Sequence, residues 1–175
     1  DLLVGGDGRA LLEVVGPILL THAVGSLACM AEPIRTFGDP VLNSKAAPVA
    51  DIDGKARRLA EKMFGALYGT DNGLALAAPQ IGVQKQVVVW DFGDDPQTIF
   101  NPEIVESDGE WVYEEGCLSV PGISWEIVRP NRVHVVGRDL DGNEVSIEAS
   151  ELAGRMFQHE LDHLDGVLLI ERLDE

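Results

Sequence analysis

The chain has 175 residues, the size of one domain with a substantial hydrophobic core. Its formal net charge of −17 argues against a nucleic-acid surface, because phosphate binding needs clustered lysines and arginines. No apolar run approaches the roughly 18 residues of a membrane-spanning helix, so we expect neither nucleic acid nor membrane as a partner. The two cysteines, Cys29 and Cys117, give no disulfide framework and are typical of an intracellular protein.

Residues 1–30 differ in composition from the rest of the chain. They are rich in Gly, Ala, Val and Leu, and Arg9 is their only Lys or Arg. A signal or lipoprotein segment is one interpretation, but the positively charged start that such segments have is nearly absent. Upstream sequence before a natural start at Met30 is the favoured interpretation. We therefore expect an N-terminal extension over residues 1–30 and a folded domain over residues 31–175.

The first predicted helix follows Asp51, which is a candidate N-cap. Apolar residues recur there at spacings of three and four, which places them on one helical face. Gly69 interrupts the pattern at its end. The apolar stripe consists of Ile52, Ala56, Leu59, Met63 and Leu67.

The middle of the chain is rich in β-type segments, beginning with the run over residues 86–92. Two Asp-Gly pairs, Asp108-Gly109 and Asp141-Gly142, each stand between such segments, and we predict a turn of an antiparallel hairpin at each. A second helix is predicted from Ser150, its candidate N-cap, to Gly166. Because no β-α-β alternation is visible, the order of elements predicts an α+β fold.

Two histidines, His159 and His163, are spaced four residues apart on this second helix, with Glu160 beside the first. This spacing puts both imidazoles on one face, where they can bind a single cation. A bound metal lowers the pKa of water, and a neighbouring carboxylate can take the proton. The pattern therefore indicates a hydrolytic metal site.

A third ligand is needed, because catalytic sites usually take three from the protein. His22 lies in the N-terminal extension and His134 in a predicted strand, where an ordinary structural role is the simpler interpretation. A cysteine such as Cys117 is often only a small buried hydrophobe, but here Gly116 allows close backbone approach just where a predicted strand ends. Cys117 is therefore the better candidate.

Three stretches together resemble the motifs of the peptide deformylase family in residue type, order and spacing. They are Gly73-Leu-Ala-Leu-Ala-Ala-Pro-Gln80, Glu115-Gly-Cys-Leu-Ser119 and His159-Glu-Leu-Asp-His163. The resemblance covers about residues 31–173, which would make residues 31–175 a catalytic domain. It implies a single compact α+β domain, with antiparallel sheets around a central metal-binding helix. It also implies an enzyme that removes the formyl group from N-formylmethionine at the start of new polypeptides.

The resemblance also implies a role for individual residues. Cys117, His159 and His163 would hold one divalent metal ion, commonly Fe(II) in this family and replaceable by Zn, Ni or Co. Glu160 would act as the base. The Gln80 side chain and the Leu118 backbone N–H would stabilise charge on the formyl oxygen.

Further residues are predicted to support the site or to bind substrate. Arg129 aligns with an arginine that pairs with the glutamate matched by Glu115, so we expect an ion pair that supports the cysteine loop. Ala75 stands where the family usually has glycine close to the bound peptide, which puts the strength of substrate binding in question. The predicted substrate-binding residues are Gly73, Leu74, Ala75, Tyr113, Gly116, Leu152 and Met156.

N-formylmethionyl peptides are thus the expected partners, in the bacterial cytoplasm or an organelle. The chain ends soon after the metal helix, without a basic C-terminal helix, so we expect at most a transient ribosome contact. Two alternatives remain: a zinc peptidase with the same HExxH helix, and a metal-binding relative without catalysis. The upstream position of Cys117 disfavours the first, and the presence of Glu160 and Gln80 disfavours the second.

Overall fold

The computed structural model describes residues 32–93 and 95–173, together with the backbone of residues 10 and 11. Strand β1, Ala10–Leu11, pairs in parallel with a strand near the end of the chain. Apart from those two residues, the predicted N-terminal extension lies outside the described residues, as do His22 and Cys29.

A six-stranded sheet forms the larger part of the described chain, with strand order β1-β8-β7-β4-β3-β2. Every pair in it except β1 with β8 is antiparallel. Its other strands are β2 (Ala75–Ala77), β3 (Val87–Trp90), β4 (Gln97–Asp108), β7 (Arg132–Arg138) and β8 (Glu144–Ser150). The β7–β8 hairpin turns at Asp141-Gly142 as predicted, with Gly142 at φ 83°.

A separate two-stranded sheet consists of β5, Trp111–Cys117, and β6, Val120–Arg129. The predicted hairpin at Asp108-Gly109 is wrong, because β4 pairs with β3 and β7 whereas β5 pairs with β6. Gly109, at φ 76°, instead turns the chain from one sheet to the other. The Asp-Gly signal identifies a turn, but the strand partners are set by long-range pairing that the turn does not encode.

Helix α1 spans Gly54–Tyr68 and buries Ala56, Met63 and Leu67 of the predicted stripe. Its N-cap is Asp53 rather than Asp51. The Asp53 carboxylate accepts hydrogen bonds from the backbone N–H groups of Lys55, at 2.8 Å, and Ala56, at 3.1 Å. The apolar pattern begins at Ile52, before the helix itself. For that reason the sequence predicted the N-cap two residues too early.

Helix α2 spans Glu151–Asp165 and packs against the six-stranded sheet. Phe157 is fully buried there and meets Trp90 edge-to-face, with ring centroids 5.0 Å apart. Ser150 is the N-cap residue, although its side chain makes no capping hydrogen bond, and Gly166 ends the helix at φ 78°. The predicted α+β architecture around a central helix is confirmed. Short 3-10 helices span Pro40–Asn43, Ala78–Ile81 and Leu169–Arg172.

The end of α2 gives a stability prediction. Gly166→Ala should destabilise the fold by at least about 1–2 kcal/mol, because the left-handed backbone disfavours a side chain. The new Cβ would also lie 2.8 Å from the backbone nitrogen of Ser44. Gly65 is an exposed position in the middle of α1, and Gly65→Ala is the matched control. It should stabilise the fold by about 0.5–1 kcal/mol. Denaturant unfolding measures the free energy of unfolding of both variants. Equal changes of the same sign would contradict this account of Gly166.

Candidate metal centre

Three potential ligand atoms converge at the junction of β5 and α2. Cys117 ends β5, and His159 and His163 lie one turn apart on α2. The Cys117 sulfur and one nitrogen of each imidazole all lie within 4.8 Å of one another, and the sulfur is 3.3 Å from His163 Nε2. A thiolate and two imidazoles at this separation suit a tetrahedral divalent ion with one position left for solvent. The donor set therefore fits a metal.

The hydrogen bonds and burial of the two histidines fit ligation. His159 Nδ1 lies 3.0 Å from Glu115 Oε2, so that nitrogen carries a proton and Nε2 is the atom that a metal would bind. Burial opposes charge on His159, but hydrogen bonds with Cys117 and Glu115 raise its pKa to about 10. Burial holds the pKa of His163 well below its usual value, which keeps that ring neutral. A metal bound by both imidazoles would displace the second proton of His159.

Behind His159, Glu115 lies at the centre of a buried ionic cluster. Arg129 donates to both of its carboxylate oxygens, at 2.7 and 3.1 Å, and Arg155 donates to one of them. Burial alone raises the pKa of Glu115, but hydrogen bonds from His159 and Arg129 outweigh it and lower the pKa to about 2. Glu115 therefore stays ionised and orients His159. The structure brings Glu115 and Arg129 together as the sequence suggests.

Glu160 is only 5% exposed and points into the same region. Its Oε2 atom has no hydrogen-bond partner among the described residues. Burial raises the pKa of Glu160 to about 7, against the opposing effect of His159. A carboxyl group with such a pKa can both accept and return a proton near neutral pH.

Gln80 is almost fully buried, at 1% exposure, and its amide orientation is fixed. Its Oε1 accepts from the backbone N–H of Ala77 at 2.8 Å, and its Nε2 donates to Ser119 Oγ at 3.2 Å. One N–H of Nε2 remains available for a ligand. Leu118 follows the candidate ligand Cys117 in the turn between β5 and β6, and both Gln80 and Leu118 line the same cleft.

This cleft has a volume of about 750 Å³. Glu160, Cys117 and His159 line it, whereas His163 and Arg129 do not. All of the predicted substrate-binding residues also line it: Gly73, Leu74, Ala75, Tyr113, Gly116, Leu152 and Met156.

Two of those residues differ from expectation in detail. At Gly116 a Cβ would meet only the Ile123 carbonyl, at 4.0 Å, so the expected close backbone approach is absent. At Gly73 a Cβ would lie 2.4 Å from Thr70 Oγ1, so Gly73 is the crowded position. Thr70 Oγ1 accepts a hydrogen bond from the backbone N–H of Gly73 at 3.1 Å, so the crowding arises within the turn that precedes β2.

Three polar residues near the site were not singled out from sequence. Ser119 is fully buried and hydrogen-bonded to Gln80. The Asp162 carboxylate accepts a hydrogen bond from Arg129 Nη1 at 2.8 Å. Arg155 is 3% exposed and lines the cleft. Its position four residues before His159, on the face of α2 that carries the ligands, was an available signal.

A family model for polypeptide deformylase matches residues 31–175. A curated peptide deformylase from Halothermothrix orenii is 46% identical over 142 residues, which are 80% of this chain and 92% of that protein. The crystal structure of the Thermotoga maritima peptide deformylase superposes with a TM-score of 0.77 at 45% identity, covering 81% of this chain and 96% of that one. The Synechococcus elongatus enzyme in complex with actinonin gives a TM-score of 0.81 at 34% identity, covering 92% and 88%.

In the part of the chain that the structure describes, no helix is both long and apolar enough to cross a bilayer. The sequence match spans 92% of the Halothermothrix orenii relative, and the structural match spans 96% of the Thermotoga maritima chain. This chain therefore belongs to the peptide deformylase family.

Proposed function

We propose that Cys117, His159 and His163 hold the metal of this deformylase, and that residues 31–175 form its catalytic domain. The observation that carries the proposal is the convergence of one sulfur and two imidazole nitrogens within 4.8 Å beside a buried Glu160. As a peptide deformylase, the chain is a metal-dependent hydrolase that removes the formyl group from N-formylmethionyl polypeptides and releases formate.

A divalent ion in this site supplies Lewis acidity, lowering the pKa of water and polarising the formyl carbonyl. We propose Fe(II) as the ion in the cell, with Zn, Ni or Co as ions that the same ligands accept. The activity would operate where formylated chains are made, in the bacterial cytoplasm or an organelle.

Glu160 moves the proton in this scheme. Its carboxylate takes a proton from the attacking water and then returns it to the amine nitrogen that leaves. The raised pKa of about 7 suits both steps, because either form of the group is accessible near neutral pH.

Gln80 and Leu118 would stabilise the negative charge that develops on the formyl oxygen. The free N–H of Gln80 Nε2 and the Leu118 backbone N–H are the proposed donors. Ala77 and Ser119 hold the Gln80 amide in place, so it needs no reorganisation during the reaction.

The substrate would lie along the cleft, with its methionine side chain against the apolar residues. Met156 is 7% exposed and can form the floor of such a pocket, while Leu152 and Tyr113, at 42% and 43% exposure, stand at the rim. Ala75 is buried in β2 and pairs with Trp90, which leaves its methyl group close to the proposed peptide path.

Loss of the Gln80 donor should reduce turnover rather than binding. In Gln80→Leu we expect kcat to fall roughly 10²- to 10³-fold, with KM and metal content near wild type. Steady-state kinetics on a formyl-Met peptide measure the change. The control is Gln97→Leu, which removes an amide hydrogen-bonded to Asp95 outside the cleft. A Gln80→Leu enzyme with unchanged kcat would exclude the amide from the reaction.

Formate release from formyl-Met-Ala-Ser tests the proposed function against its alternatives. We expect stoichiometric metal in anaerobically prepared protein and formate production that depends on it. A zinc peptidase would cleave the Met-Ala bond without releasing formate. A non-catalytic relative would bind metal and release nothing.

A further inference from the structure

The candidate metal ligands belong to two different parts of the fold. Cys117 is on β5, whose described pairing partner is β6 alone, whereas His159 and His163 are on α2, which packs against the six-stranded sheet. The distance between the sulfur and the imidazoles therefore depends on how the β5–β6 sheet docks onto α2.

Arg155 joins these two parts directly. From α2 its Nη1 donates to the Ile127 carbonyl of β6 at 3.0 Å and to the Glu115 carboxylate of β5. Its Nη2 donates to the Trp111 carbonyl, also on β5. The guanidinium carbon lies 4.9 Å from the centroid of the Trp111 ring, so the side chain is stacked as well as hydrogen-bonded.

The other polar links between the sheet and α2 are mostly bonds between two side chains: His159 with Glu115 at 3.0 Å, Arg129 with Asp162 at 2.8 Å and His163 with Cys117 at 3.3 Å. Gln158 of α2 also donates to a main-chain carbonyl, at 2.9 Å, but this is the carbonyl of Pro130, which follows β6. Arg155 also bonds to main-chain carbonyls of both strands, which cannot move without the sheet. The planar guanidinium group of Arg155 can donate to several fixed acceptors at once, whereas the ammonium group of a lysine cannot.

Glu115 does not depend on Arg155 for its charge. Arg129 already binds both of its oxygens, and His159 contacts one of them. Arg155 is thus distinguished by its hydrogen bonds to the backbone carbonyls of Trp111 and Ile127. Trp111 lies six residues before Cys117 on β5, and Ile127 lies ten residues after it on β6.

We propose that Arg155 is a positioning residue that docks the β5–β6 sheet onto α2, fixes the Cys117 sulfur relative to the imidazole pair and so slows metal release. This inference rests on the proposed metal site. It assigns Arg155 an effect on metal retention while leaving the reacting groups unchanged.

The test is the rate at which zinc-loaded protein transfers its metal to an excess of a chromophoric chelator. In Arg155→Met we expect transfer to be roughly 10- to 100-fold faster, the range measured for groups that orient metal ligands. Arg155→Lys should also release metal faster than wild type, because one ammonium cannot span Glu115, Trp111 and Ile127. Cobalt-loaded Arg155→Met should show altered visible bands, since those bands report the ligand geometry.

Two controls separate positioning from general damage. Arg132→Met removes an exposed arginine paired with Asp108, and it should release zinc at the wild-type rate. Met63 is a buried residue of α1, so Met63→Ala opens a cavity and lowers stability without touching the site. It should likewise leave zinc transfer slow in the folded protein.

The inference is overturned if folded Arg155→Met releases zinc at the wild-type rate, or if Met63→Ala releases it equally fast. If Arg155→Met cannot be obtained folded, Arg155→Lys decides, and a wild-type rate in that variant overturns the inference. Wild-type protein that binds no stoichiometric zinc would refute the proposed metal site as well. Stoichiometric zinc and formate release in the wild type, with unchanged transfer in the variants, would refute the role of Arg155 alone.

Discussion

Glu160→Ala should lower kcat for deformylation by roughly 10²- to 10⁴-fold, the contribution of a positioned general base. Metal content should remain at the wild-type level, because Glu160 is not one of the three converging ligands. Formate release and metal analysis on the same preparation measure both quantities. The reason for the loss is that Glu160 is the proposed base, and its buried carboxyl group, with a pKa of about 7, can accept a proton near neutral pH.

Two further variants sharpen that result. Glu160→Gln keeps the size of the side chain but cannot accept a proton, so we expect it to be as inactive as the alanine variant. Glu61→Ala removes an exposed carboxylate of α1 and should change nothing. Wild-type activity in either Glu160 variant would show that another group takes the proton.

Cys117→Ala should abolish stoichiometric metal binding and, with it, deformylation. The loss should exceed the roughly 10- to 100-fold that removal of a supporting residue costs, because a ligand itself is gone. Metal content after dialysis and formate release at saturating peptide are the measurements. The chain's other thiol supplies the control, since Cys29→Ala is expected to keep full metal content.

The result that would count against this ligand assignment is a Cys117→Ala protein that retains one ion and normal turnover. His163→Ala provides an independent check from the other side of the site. His163 Nε2 lies 3.3 Å from the Cys117 sulfur, so we expect His163→Ala to lose the metal as Cys117→Ala does.

Sequence was sufficient for α2 and its two histidines, because helical spacing alone places His159 and His163 on one face. The α+β class followed from the order of elements. Cys117 was singled out at the end of a predicted strand, where β5 does end, although the close approach expected at Gly116 is not seen. These features are local, and local patterns are what a single sequence encodes well.

The features that sequence missed depend on contacts between distant segments. The turn at Gly109 was recognised, but the pairing of β4 with β7 rather than β5 was not. Arg155 bonds to residues 28 to 44 positions away, and its one local signal, a position four residues before His159, does not reveal those partners. Its importance follows only from the docking of one sheet onto α2.

X-ray absorption at the zinc edge of fully loaded wild-type protein tests the central claim most directly. The account predicts one sulfur and two imidazole nitrogens around the ion, with the sulfur signal lost in Cys117→Ala. A coordination sphere of nitrogen and oxygen alone in the wild type would contradict it.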